Sequence, residues 1–327
     1  MKENRASGLQ LTVRQREAGM MRSGGGIVLA FILMVGIMCI VSPYFFAKNN
    51  LVALLKSAVT TALLAYAMTF TLIAGEIDLS ISSVFAFAPM VACYCMVNGM
   101  SFLASTLIAL ALSMVLGLFN GFIVGFTKVP AFIVTLSTQR IIRGIVYLIS
   151  GGQPITSRDP FFKTIGKAIG SGTFGFITWP ILICVVITVI LAVLLKRTIY
   201  GRKVYACGGN REAALFSGIN TKKMVVSVFV LSAAVAAIAG ILSAARLCQA
   251  QPTAGDAYES DAIAAAVLGG TSFTGGRGTI LGTVIGALVL SLLQNGMNLL
   301  GVNYYWQLVI QGLLIIGAVY MDVAARK

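Results

Sequence analysis

Residues 102–127 read FLASTLIALALSMVLGLFNGFIVGFT, a run without a single charged side chain that stops at Lys128. As a helix it would be about 39 Å long at 1.5 Å per residue. About 20 apolar residues are enough to cross the roughly 30 Å hydrocarbon core of a bilayer. This stretch therefore reads as a transmembrane helix. Similar runs lie on either side of it, at 27–43, 52–74, 79–97, 130–149, 178–196, 224–246, 262–276, 279–300 and 304–321. The expectation is an all-α, polytopic membrane helical bundle of about ten transmembrane helices. The run 262–276 is short and rich in glycine. The run 79–97 follows a polar break so closely that it and the run before it read as a broken pair.

Composition supports the same class. Apolar residues make up 58% of the chain and charged residues 10%, with a mean hydropathy of +0.94. A soluble domain is about a quarter charged, and one core could not hide this much apolar surface. Lysine and arginine number 24 against 10 acids. In a soluble protein that excess would raise nucleic-acid binding. Here the basic residues cluster in short segments between apolar runs, where they set orientation.

The segment 196–223 holds Lys196, Arg197, Arg202, Lys203, Arg211, Lys222 and Lys223 with Glu212 as its only acid. By the positive-inside rule it is cytoplasmic. Ten spans then place both termini in the cytoplasm, in agreement with the basic residues 1–25 and with Arg326-Lys327. Lys128 and Arg277 also fall inside, whereas Lys48 and Lys56 fall outside against the rule. The domain expectation is a cytoplasmic basic tail, 1–25, and one transmembrane domain, 26–327. Its longer external loops are 150–177 and 246–261. The first apolar run ends at Ser42-Pro43-Tyr44, too bulky for signal cleavage, so it reads as an uncleaved span.

There is no histidine, which excludes histidine acid–base chemistry, histidine metal ligands and Ser-His-Asp arrangements. The six cysteines form no CxxC pair, and four of them sit within apolar runs as small hydrophobes. No metal or cofactor site is expected. Gly75-Glu76-Ile77-Asp78 and Tyr258-Glu259-Ser260-Asp261 share a Glu-x-Asp pattern ahead of the third and eighth spans. They raise a five-plus-five inverted repeat, with chance recurrence as the alternative.

Within the cytoplasmic loop, Asn210 is a good helix N-cap, Glu212 suits the positive end of the dipole, and Gly218 is a natural stop. A short helix of about two turns is expected there. Residues 208–219, Gly-Gly-Asn-Arg-Glu-Ala-Ala-Leu-Phe-Ser-Gly-Ile, resemble the coupling segment of permeases of ribose-type sugar ATP-binding-cassette (ABC) importers. The resemblance extends to Gly75–Ser80, to Asn120-Gly121-Phe122, and to Gln251–Gly255 with Tyr258-Glu259. Asp261–Ala265, Val267–Ser272 and Asn295–Val302 share it too. Glu76 and Arg140 depart from the family pattern.

The resemblance implies a transport subunit of the bacterial inner membrane, not an enzyme. Its expected partners are an ABC ATPase subunit carrying ATP and magnesium, a periplasmic sugar-binding protein and a second permease copy. It makes Gly209, Asn210, Glu212, Ala213, Ala214 and Gly218 the ATPase-coupling residues. The chain has no Gly-x-x-x-x-Gly-Lys loop, and Gly269–Gly278 lacks the lysine a phosphate cradle needs. That glycine run reads as close helix packing or a helix break.

Charge inside a bilayer is costly. Glu76 and Asp78 either cap the third helix or act in a pathway or gate. Asn120, Asn295 and Asn298, polar groups in apolar spans, either hydrogen-bond a sugar or join helices. Arg140 and Arg143 share a face of the fifth span. Arg158, Lys163, Lys167 and Arg246 are candidates to meet acidic rims on the binding protein. The rival from another class, an ion-coupled carrier, would need its own coupling acids at mid-membrane and no Glu-Ala-Ala loop.

Overall fold

The computed structural model describes residues 28, 31–156, 173–174 and 177–324. Twelve helices lie among them. They are α1 (Phe31–Val41), α2 (Lys48–Ile73), α3 (Ile81–Val97), α4 (Phe102–Phe126), α5 (Ala131–Ser150), α6 (Trp179–Arg197), α7 (Ile199–Gly209), α8 (Arg211–Phe216), α9 (Thr221–Leu247), α10 (Tyr258–Leu268), α11 (Ile280–Leu299) and α12 (Tyr304–Ala324). Six of these, α2, α4, α5, α6, α9 and α11, are long and apolar enough to cross a membrane. Each of the ten apolar runs contains helix, and the loop 196–223 adds two short helices outside the spans, of which only α8 was expected.

The run 262–276 is corrected. Its helix, α10, has 11 residues and ends at Leu268, and the glycine run after it is a turn. Gly270, Gly275, Gly276 and Gly278 all have positive φ, which no continuing helix tolerates. At about 16 Å, α10 covers half a bilayer. The chain before it, 251–257, is a turn that packs on α3 and on α5. In the loop 150–177, β1 (Ile155–Thr156) pairs antiparallel with β4 (Gln249–Ala250), and β2 (Thr173–Phe174) with β3 (Ile177–Thr178).

Packing follows small residues. On α4, Gly117, Gly121 and Gly125 recur every fourth position and turn one stripe to α9. A methyl on Gly121 would sit 2.7 Å from the Val226 Cα, and one on Gly117 would sit 2.6 Å from the Phe229 carbonyl oxygen. With no hydrophobic force between helices in lipid, such close backbone approach supplies the van der Waals contact that holds them together. Leu63, Tyr66, Met68 and Phe70 of α2 and Phe85 and Met90 of α3 are buried at the centre.

The pattern of neighbours obeys one exchange. α4 packs on α9 as α11 packs on α2, and α3 on α9 as α10 on α2. Likewise α3 packs on α4 and α5, and α10 on α11 and α12, while α2 and α9 touch each other. Exchanging α2–α5 with α9–α12 carries each of these pairs onto another, as an inverted repeat requires, whereas the α2–α3 and α4–α5 contacts have no equally extensive counterpart in the second set. The shared Glu-x-Asp letters are not equivalent within it. Glu76 and Asp78 precede the α3 N-cap, Ser80, whereas Glu259 and Asp261 lie in the first turn of α10.

Candidate functional site

The loop 196–223 is built by successive caps. Thr198 accepts from the Gly201 N–H to start α7. Asn210 then adopts an extended backbone, and its Oδ1 accepts from the Ala213 N–H at 2.9 Å, which starts α8. Glu212 lies in the first turn of α8. Gly218, at φ +80°, reverses the chain after the helix, and Asn220 caps α9 through the Lys223 N–H at 3.0 Å. Ala214 anchors α8 inward, while Glu212, Ala213, Leu215 and Phe216 face out. Phe216 is 90% exposed. A bare aromatic beside Leu215 in a polar loop marks a contact surface. Sequence reasoning passed over this pair, although two large apolar residues ending a short helix outside the spans were the available signal.

Behind α8, three backbones meet at glycine. Gly276 donates its N–H to the Ile73 carbonyl at 2.9 Å. A methyl on Gly208 would overlap that same carbonyl, and one on Gly275 would sit 2.6 Å from the Gly208 oxygen and 3.1 Å from the Gly75 Cα. The Tyr205 hydroxyl donates to the Gly278 carbonyl at 2.6 Å. The end of α7 thus rests on the α2–α3 turn and on the α10–α11 turn, one from each repeat. Gly209 sits at the same junction, its Cα close to Gly276.

An ion pair crosses the junction, with Arg211 Nη1 2.8 Å from Glu76 Oε1. The Glu76 side chain is 10% exposed. Burial pushes its carboxyl above the usual range, and the Arg211 charge and hydrogen bond oppose that rise. Asp78, two residues on, is fully buried. Its Oδ1 accepts from the Ser80 N–H (3.0 Å) and hydroxyl (2.6 Å), and its Oδ2 accepts from the Ser232 hydroxyl on α9 at 2.8 Å. Asn120 Nδ2 on α4 donates to the Ser80 oxygen at 2.9 Å, and Asn120 Oδ1 has no partner among the described residues. Asp78 therefore organises the turn before α3 and ties it to α4 and α9.

Of the candidates for a pathway or gate, Glu76, Asp78 and Asn120 come together here. The other two lie at the far end of α11. Asn295 exchanges hydrogen bonds with Asn50 of α2, and Asn298 Oδ1 accepts from Gln307 Nε2 of α12. Both asparagines join helices. Arg246 is exposed in the last turn of α9. Arg158, Lys163 and Lys167 lie outside the described residues.

Residues 50–319 match the family described as branched-chain amino acid transport system / permease component. The chain is 40% identical over 304 residues to the ribose import permease protein RbsC of Bacillus subtilis (strain 168), covering 93% of this chain and 94% of that one. It is 37% identical to the D-allose transport system permease protein AlsC of Escherichia coli (strain K12), covering 91% and 90%. It is 31% identical to the xylose transport system permease protein XylH of the same strain, covering 86% and 87%. No solved structure matches. With its capped, outward-facing α8 and a family match across nearly all its spans, the chain belongs to this family of permease components, the multi-pass inner-membrane subunits of bacterial ABC importers.

Proposed function

We propose that the chain is the permease of a monosaccharide importer, with ribose or a close relative as its cargo. The observation that carries this is the 40% identity to a ribose permease over 93% of the chain. ABC importers of this family work with an ATPase and a binding protein, and α8 has the form of an ATPase-docking helix. In this reading Phe216 and Leu215 enter a cleft on the ATPase. Asn210, Glu212 and Gly218 fix the shape of the helix, and Gly209 joins it to the junction. ATP-driven closure then moves α8, and the junction passes that motion to the inner ends of both repeats. Glu76, Asp78 and Asn120 sit where the inner gate would open.

A second, identical permease closes the other side of the path. Arg246, with Arg158, Lys163 and Lys167, meets acidic rims of the loaded binding protein outside. The relatives named for allose and xylose support a second cargo reading, a hexose or another pentose.

The test is reconstitution of the permease with its ATPase and binding protein in proteoliposomes. ATP-dependent uptake of D-ribose in preference to D-allose and D-xylose is expected. Preferred uptake of either of the others would reassign the cargo. Uptake driven by an ion gradient without the ATPase would remove the reading.

A further inference from the structure

At the end of the bundle away from α8, one cleft gathers two basic side chains. Lys56 and Thr60 of α2, Pro180 of α6, and Ser243 and Arg246 of α9 line it. Helix α9 starts close after α8 and runs to Leu247, which puts Arg246 at the far end. Lys56 is half-buried and Arg246 is exposed. Among the described residues no acid lies within ion-pair distance of either.

Helix length gives the level of this cleft in the membrane. Lys56 stands about 26 Å from the end of α2 at Ile73, close to the thickness of a hydrocarbon core. Trp179, exposed in the first turn of α6, is a residue type that gathers at headgroup level. From the same end, Leu182, Val185 and Val189 form an exposed apolar stripe along α6. The cleft therefore opens at a bilayer edge.

Orientation does not account for the two charges. The basic residues that set it cluster in the loop 196–223, at the opposite end of α6 and α9. Two like charges lining one cleft repel each other, and an anion between them turns that repulsion into two attractions.

We propose that Lys56, Thr60, Ser243 and Arg246 hold the phosphate headgroup of an anionic phospholipid. The Lys56 ammonium acts as a point charge, and the Arg246 guanidinium offers two parallel N–H groups to phosphate oxygens. The Thr60 and Ser243 hydroxyls donate to the oxygens that remain. The apolar stripe on α6 takes the acyl chains, which a free phosphate would leave bare. The lipid then braces α2 against α9, the helices that join the two repeats. Arg246 has five N–H donors, so a phosphate in the cleft leaves some for the binding protein. The proposal requires the chain to sit in a membrane and is independent of its cargo.

The test titrates the purified full-length permease in detergent with phosphatidylglycerol, phosphatidylcholine or inorganic phosphate, and counts bound ligand by native mass spectrometry. One phosphatidylglycerol should bind the parent roughly thirtyfold more tightly than it binds the double variant Lys56→Gln/Arg246→Gln, as two basic groups near an anionic surface imply. Lys56→Arg/Arg246→Lys keeps both charges and should keep most of the affinity. Lys128→Gln, between α4 and α5 at the other end of the bundle, should bind as the parent does.

Equal binding of phosphatidylglycerol by the parent and the double glutamine variant would overturn the proposal. So would equal affinity of the parent for phosphatidylglycerol and phosphatidylcholine. Displacement of the lipid by millimolar inorganic phosphate would make the cleft a site for the free anion and equally overturn it. Loss of the lipid from the charge-keeping variant as well would reduce the two residues to a packing role.

Discussion

Arg211, the first residue of α8, forms an ion pair at 2.8 Å with Glu76, 135 residues earlier in the turn between α2 and α3. The pair ties the surface proposed to meet the ATPase to the turn between α2 and α3.

The link is sensitive to pH. Burial raises the Glu76 carboxyl above the usual range more than Arg211 lowers it. A carboxyl raised in the folded state binds its proton more tightly there than in the unfolded chain. Its contribution to stability is thus fully present at low pH and is lost as pH rises through the raised pKa. The melting temperature of the parent minus that of Glu76→Gln in detergent should fall as pH rises above the usual carboxylate range. A difference that rises with pH would show that the ion pair outweighs burial.

Two adjacent glycines should behave oppositely. Gly208→Ala puts a methyl onto the Ile73 carbonyl, whereas a methyl on Gly209 meets nothing within 4 Å. Overpacking against backbone costs about 1–3 kcal/mol. Gly208→Ala should lower the melting temperature and uncouple ATP hydrolysis from uptake, while Gly209→Ala should preserve the fold. Equal melting temperatures for the two variants would remove the tight junction.

Asp78 separates shape from charge. Asparagine there keeps an acceptor for Ser80 and offers Ser232 a donor, so Asp78→Asn should fold close to normally. Asp78→Ala leaves the Ser80 and Ser232 hydroxyls without their buried partner, at about 1–3 kcal/mol for each group left unsatisfied. Thermal denaturation of the two variants in detergent checks the order.

Phe216 contributes little to the isolated chain because it is 90% exposed. Phe216→Ala should therefore leave the melting temperature of the permease unchanged. Loss of an aromatic anchor at an interface costs about 2 kcal/mol or more, so its affinity for the ATPase should fall about thirtyfold. A titration of ATPase into permease-loaded nanodiscs measures it.

Much of the coupling loop was legible in the sequence because capping is local. Asn210, Glu212 and Gly218 act within four residues of themselves, and the structure places each in its expected position. The span 262–276 misled because hydropathy measures composition and not depth. Alanine and glycine read as apolar whether they continue a helix or turn back at its end. Glu76 and Asp78 were legible as costly charges, but not as parts of different networks, one facing Arg211 and the other Ser232. Asn295 and Asn298 offered the same polar signal as Asn120, and only their partners set them apart. Leu215 and Phe216 lay within the expected short helix, but which of its side chains stay uncovered depends on the packing around it.

By itself the sequence determined a polytopic membrane helical bundle and the capped helix in the basic loop. Both follow from residues close together in the chain, through transfer to lipid and the first hydrogen bonds of a helix. The tertiary structure alone decided that Glu76 meets Arg211 and that Arg143 pins the segment around Asp256. Those relations join residues more than 100 positions apart. They depend on how glycine stripes let helices approach, and no local pattern in the chain encodes that approach.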